Sequence, residues 1–198
     1  MKKITFSLFS LFASIVFLSC SQGTKTNVSN TSAYPTIGSV HIIDKEAENL
    51  LLSGANIEVL DSGFVWTEGP LWLESEQVLL FSDVPQNKIY RWQEGKPSEI
   101  YLSPSGYTGD KERSGEPGSN GLIRLPNGTL VLCQHGDRQI AAMDAPINEP
   151  KASFRTLAQK YKGKKLNSPN DVIADSKGNL YLTDPLYGLE TPKDEELG

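Results

Sequence analysis

EGPLWLESEQVLLFSD, residues 68–83, decides how the rest of the chain is read. Glu68 opens it, an apolar run follows, then the turn cluster ESEQ, then a second apolar run from Val78. The same order returns in NGLIRLPNGTLVLCQH, opening at Asn120, and in NDVIADSKGNLYLTDP, opening at Asn170. The openers stand about fifty residues apart. The second run reaches Val78, Leu130 and Leu180, ten residues after its opener each time. Short strands and turns repeating at this period predict the blades of a β-propeller, and equivalent positions of successive blades face one axis. One Glu and two Asn in such a place would converge on a single point.

Working outward, blade one is expected at Glu68–Leu73, Val78–Ser82, Lys88–Trp92 and Glu99–Leu102. Blade two is expected at Gly121–Leu125, Thr129–Cys133, Gln139–Met143 and Ala152–Leu157, with Pro126-Asn127-Gly128 as a hairpin turn. A third begins with Asp171–Ala174 and Asn179–Thr183. Ahead of the repeats, Ile43–Leu52 suits one or two helical turns capped by Asp44, and Ile57–Leu60 suits a strand. Pro104–Ser119 is a long charged loop rich in Gly and Pro between blades one and two. Such a loop either lies over the mouth of a scaffold and carries function or is a loose surface segment. Two blades and part of a third leave unpaired strand edges. Residues 40–198 are therefore expected to be the N-terminal part of a larger, truncated propeller, or else to close by oligomerising.

The ends and the bulk composition set the context. Hydrophobic residues make up 38% and charged residues 22% of the 198, as in an ordinary soluble globular domain. A formal charge of −5 argues against nucleic acid as a partner. Lys2 and Lys3 precede the uncharged apolar run Ile4–Leu18, and Leu18-Ser19-Cys20 follows. Residues 1–20 read as a secretory signal, shorter than a spanning helix of about 20 apolar residues. Cys20 resembles the lipidated cysteine of a bacterial lipoprotein, with ordinary secretion and a free thiol as the alternative. Ser21 after it, in place of Asp, implies the outer membrane by resemblance to lipoprotein sorting, so the protein is expected to be exported, to face the periplasm and to meet membrane through its anchor alone. Residues 21–39, rich in Ser, Thr, Asn and Gly, read as a flexible tether.

Four motifs carry a resemblance: VWTEGPLW (65–72), SGYTGDKERSGEPGSNGL (105–122), LVLCQHGDRQIA (130–141) and NSPNDVIADSKGNLYLTDPLYGL (167–189). In order and spacing they resemble the regucalcin (senescence marker protein)/gluconolactonase/lactonase-like family. The resemblance implies an all-β, six-bladed β-propeller of which about the first half is present. It implies hydrolysis of a small-molecule sugar lactone to the aldonic acid, with one bound divalent cation. It also implies that Glu68, in TEGP, is a metal ligand, and that Asn170, in SPND, lies beside the metal; both are catalytic candidates. The family's next metal asparagine and its essential aspartate come from blades four and five. The 198 residues alone are thus expected to be inactive, with the general base beyond residue 198 or supplied by Glu68 itself.

The residue chemistry stands beside the resemblance. A carboxylate and amide carbonyls are hard donors that suit Ca2+ first, with Mg2+ or Mn2+ next. Zn2+ is the remaining alternative, although His41 and His135 are the only histidines and no Cys/His pair has zinc spacing. A cation on the axis would polarise an ester carbonyl or acidify a water. Asn120, His135, Asp171 and Asp184 are candidate substrate contacts. Each has a plainer reading: backbone capping for Asn120, a structural His, backbone bonding for Asp171, and turn chemistry for Asp184. Cys133 reads as a core thiol, and Trp66, Trp72 and Trp92 as core between blades. No GxSxG or GxGxxG pattern suggests a serine hydrolase or nucleotide chemistry. The rival readings are a non-catalytic propeller that binds a carbohydrate or a protein, and a related esterase or phosphotriesterase. The sequence leaves the oligomeric state open.

Overall fold

The computed structural model describes residues 33–197. The expected signal peptide, Cys20 and the tether up to residue 32 lie outside the described residues. Among the described residues no helix is long and apolar enough to cross a membrane.

The chain divides into two units, one ending at Glu58 and one starting at Val59. In the first, β1 (Thr36–Ser39) pairs antiparallel with β2 (Asn56–Glu58). The last residues of the expected tether are therefore strand. Between them lies a 3-10 helix, Lys45–Asn49, capped by Asp44, whose Oδ1 accepts from the Glu46 N–H at 2.9 Å. This satisfies a backbone donor that the first turn leaves orphaned.

The second unit is built from antiparallel meanders. β3 (Thr67–Leu73), β4 (Val78–Asp83), β5 (Lys88–Trp92) and β6 (Glu99–Leu102) form one four-stranded sheet in chain order. β7 (Ser119–Arg124), β8 (Leu130–Gln134), β9 (Gln139–Met143) and β10 (Phe154–Ala158) form a second. A two-residue pair, β11 (Lys160–Tyr161) with β12 (Lys164–Lys165), turns through Lys162 and Gly163, both at positive φ. β13 (Val172–Ala174) and β14 (Leu180–Leu182) make a hairpin. The expected strands match these bounds to within two residues. The β11–β12 pair was not foreseen, since its polar residues show no apolar alternation.

Period-two alternation explains how the sheets stack. Leu130 and Leu132 of β8 point one way and join Leu73, Val78, Leu80, Ile89 and Leu102 in a core shared with the first sheet. Val131 and Cys133 point the other way and join Ile140, Ala142 and Val172, with Leu180 and Leu182 packed against them. β8 is thus buried on both faces, and each fully buried Leu contributes about 2 kcal/mol of transfer free energy. Cys133 is the core thiol expected of it, its ionisation opposed first by burial and then by the charge of Asp171.

The first strands of the three repeats stand side by side, with β7 against β3 on one flank and β13 on the other. The glycine after each of the first two openers permits this approach. Gly69 has φ +56, and a Cβ there would lie 2.1 Å from the Asn120 carbonyl oxygen. A Cβ on Gly121 would lie 2.6 Å from Asp171 Oδ1.

Candidate functional site

Two of the three openers, Asn120 and Asn170, bring their side chains together. Asn120 Nδ2 donates to Asn170 Oδ1 at 2.9 Å, so these two side chains meet as the repeat predicts. Asn120 is almost fully buried, and its carbonyl accepts from the buried Ser82 Oγ at 2.9 Å. Glu68 is half-buried on the neighbouring strand, and its Oε1 accepts from Trp66 Nε1 at 2.7 Å. That bond occupies one carboxylate oxygen and leaves the other for a ligand.

A residue that the sequence reading did not single out within the long loop lies nearby. Glu116, on the loop before β7, places Oε2 3.2 Å from Nδ1 of His135. Burial raises the Glu116 carboxyl pKa, and the like charge of Glu68 raises it further. His135 has no exposed surface, and burial, with help from Arg113, pushes its pKa down to about 4, so the ring is neutral at pH 7. Neither ring nitrogen completes a hydrogen bond, the approach to Glu116 lacking the alignment for one.

The loop that carries Glu116 is tied at several points, although residues 108–112, 114 and 115 are exposed. Asn87, at φ +55, accepts at Oδ1 from the N–H groups of Ser105, Gly106 and Tyr107, and its Nδ2 donates to the Tyr107 carbonyl at 2.8 Å. Asp137 accepts from Thr108 through both backbone and hydroxyl. The Arg113 guanidinium, buried and 5.6 Å from the Tyr107 ring centroid, donates to the carbonyls of Gly136 and Gly188.

Other candidates have structural partners. Asp184 Oδ2 accepts from the Asn167 N–H at 2.8 Å, and burial raises its pKa. Asp83, fully buried at the end of β4, does the same in the first repeat, accepting from the N–H groups of Val65 and Trp66. Both aspartates hold the chain two or three residues ahead of an opener, while Asp184 Oδ1 is buried without a hydrogen-bond partner. Asp171 bonds to the Val172 N–H at 2.9 Å, the backbone role weighed for it. Arg138 Nε donates to the Leu166 carbonyl. Trp92 is buried as expected, but Trp66 and Trp72 are 53% and 45% exposed. Their indole N–H groups bond to Glu68 and Glu74, two residues along the same strand face. A groove of about 180 Å³ along β13 and β14 is lined by Asp171, Tyr181 and Thr183 but by none of the openers.

Among the described residues no three His, Cys, Asp or Glu side chains gather as a metal cluster. The donors at the openers are one carboxylate and amide oxygens, which fit a hard cation and not a soft one. Asn170 Oδ1 keeps a second lone pair beyond its bond to Asn120.

Residues 66–198 match the family described as the SMP-30/gluconolactonase/LRE-like region. The gluconolactonase of Zymomonas mobilis is 35% identical over 171 residues, which are 85% of this chain and 46% of that protein. A solved gluconolactonase of Xanthomonas campestris, described as important in glucose secondary metabolic pathways, is 29% identical with a TM-score of 0.62. That match covers 82% of this chain and 50% of the other. A structural-genomics X-ray structure of a candidate gluconolactonase is 32% identical with a TM-score of 0.55, covering 70% and 43%. The chain thus spans about half the length of the relatives it matches.

Proposed function

The chain belongs to the SMP-30/gluconolactonase/LRE-like family, and on that premise we propose that the protein hydrolyses a sugar lactone to its aldonic acid. The two four-stranded sheets are read as successive blades of a six-bladed propeller. A divalent cation, calcium first, is assigned to Glu68 and Asn170 on its axis. The protein is further read as exported and anchored by a lipid on Cys20. The observation that carries the reading is the meeting of Asn120 with Asn170, beside the strand that presents Glu68.

Each residue has a task in this scheme. Trp66 fixes the Glu68 carboxylate by its N–H, and Asn120 fixes the rotamer of Asn170, so the two donors are held before a ligand arrives. When bound, a divalent cation supplies Lewis acidity toward the lactone carbonyl. Glu68 combines a hard donor with a basic carboxylate that can accept a proton from water. The neutral, buried His135 adds no positive charge to compete with a cation.

The test is opening of glucono-1,5-lactone by the protein expressed from its complete reading frame. Chelation is expected to abolish turnover and added calcium to restore it. Glu68→Gln is expected to lower kcat/KM by about 100-fold or more. Turnover by Glu68→Gln at the wild-type rate would remove this reading.

A further inference from the structure

The repeat carries a structural device that fails at one place. In the first and third repeats an aspartate at the end of the second strand, or two residues past it, accepts backbone N–H groups from the residues ahead of the opener: Asp83 from Val65 and Trp66, Asp184 from Asn167. In the second repeat that place belongs to His135, fifteen residues after Asn120, as Asp83 is fifteen after Glu68. The residue that would offer the N–H there is Pro117, which has none. His135 is therefore released from the duty its counterparts perform. Its ring is fully buried with both nitrogens unpartnered, and the side chain it faces is Glu116.

Glu116 has no counterpart of its kind in the other repeats. Four residues ahead of its opener, it stands where the first repeat has Phe64 and the third has Leu166. Its carboxyl is 18% exposed and lies close enough to Glu68 to feel its charge. A fold that needed only to close this end would put an apolar side chain there, because a carboxylate near another is unfavourable. The chain is tied on both sides of Glu116: Arg113 donates to the carbonyls of Gly136 and Gly188, and the Gly118 N–H donates to the Val84 carbonyl at 2.8 Å.

We propose that Glu116, backed by His135, is a specificity-determining residue that accepts hydrogen bonds from ring hydroxyls of the substrate at the mouth of the Glu68–Asn120–Asn170 site. The inference rests on the lactonase reading and names what that site selects: a polyhydroxylated ring over a bare one. A carboxylate takes two hydroxyl donors at once, and a site built to bond a hydroxyl discriminates strongly against a ligand without it.

The experiment compares glucono-1,5-lactone with δ-valerolactone, which has the same ring and no hydroxyls, using the wild-type protein, Glu116→Gln and Glu116→Ala. Both lactones are measured on one preparation, so any unfolded fraction cancels in the ratio of their kcat/KM values. In the variants the ratio is expected to fall about tenfold or more, carried by the KM for gluconolactone, with δ-valerolactone changed less than about twofold. A residue that only holds the loop would depress both lactones alike, so an unchanged ratio overturns the inference while leaving the lactonase reading intact. A wild-type protein that opens neither lactone overturns the lactonase reading, and the inference with it.

Discussion

Leu80, Leu132 and Ile140 have no exposed surface and hold the two four-stranded sheets by apolar packing. The loop 104–118 between those sheets is held by other means: Asn87, Asp137 and Arg113 bond its backbone and the carbonyls around it. The sheets fix Glu68 and Asn120, the third repeat holds Asn170 by its N–H to the Thr183 carbonyl, and the loop carries Glu116. One end of the molecule is thus assembled from two materials, and they should respond differently to substitution, to pH and to local opening.

The sheets should show the largest loss. Leu132→Ala removes a fully buried side chain from the core shared by both sheets. A drop of about 2–5 kcal/mol in unfolding free energy is expected from urea midpoints at constant m-value. A loss below about 1 kcal/mol, as from a surface residue, would break the contrast by showing the sheets to be loosely packed.

Next comes pH, read where loop and sheet meet. His135 has an ordinary pKa of 6.5 and a folded value of about 4. Between those values the unfolded chain binds a proton that the folded chain refuses. Stability from this group is therefore present above pH 6.5 and is lost as pH falls toward 4, by up to about 3 kcal/mol. Glu116 and Asp184 act with the opposite sign, their raised carboxyls contributing most at low pH and losing that contribution as pH rises through the raised values. The comparison is accordingly made against His135→Gln. Between pH 7 and pH 4 the wild-type protein should lose about 3 kcal/mol more than the variant in urea titrations. Parallel pH profiles would mean that His135 is solvated.

This division also marks what was legible in the sequence. The strands of both sheets were, because apolar residues at period two and turn clusters at a fixed interval leave a mark in every copy. The convergence of Asn120 on Asn170 followed from the same interval. The staple formed by Asp83 and Asp184 could have been found, since the two residues stand fifteen and fourteen positions after their openers. It was missed because Asp184, beside Pro185, also reads as turn chemistry, and Asp83 then stands without a counterpart. Glu116 lay inside the long loop and the motif 105–122, but nothing singled it out there: its partner His135 is nineteen residues away, and a single pair leaves no period. Exposure of Trp66 and Trp72 was missed for a similar reason, as each indole is placed by one carboxylate two residues along.

The loop itself supplies the third contrast. Asn87→Ala deletes a side chain that accepts from three N–H groups and donates to one carbonyl, all in residues 105–107. The expected loss is about 1–3 kcal/mol, from backbone donors left without a partner. It should be local. Amide exchange at Gly106 and Tyr107 should accelerate while that of β8 stays at the global rate. Equal acceleration in β8 would show that loop and sheets unfold as one unit, and the distinction between them would be lost.

The smallest effect expected is that of Thr108→Val. The Thr108 hydroxyl donates to Asp137 Oδ2 at 2.6 Å, while its N–H donates to Oδ1 at 3.1 Å. The substitution keeps shape and the backbone bond and removes one exposed hydrogen bond to a charged group. Water can replace it, so the loss should stay within about 1 kcal/mol. Asp137→Ala removes both bonds and should exceed it, because the Thr108 N–H then has no protein acceptor. The order of these two variants, measured side by side by urea midpoint, tests whether the loop is held by backbone-directed bonds or by side-chain pairing. If Thr108→Val is as damaging as Asp137→Ala, the hydroxyl contact carries the clasp, and the bond from the Thr108 backbone adds nothing to it.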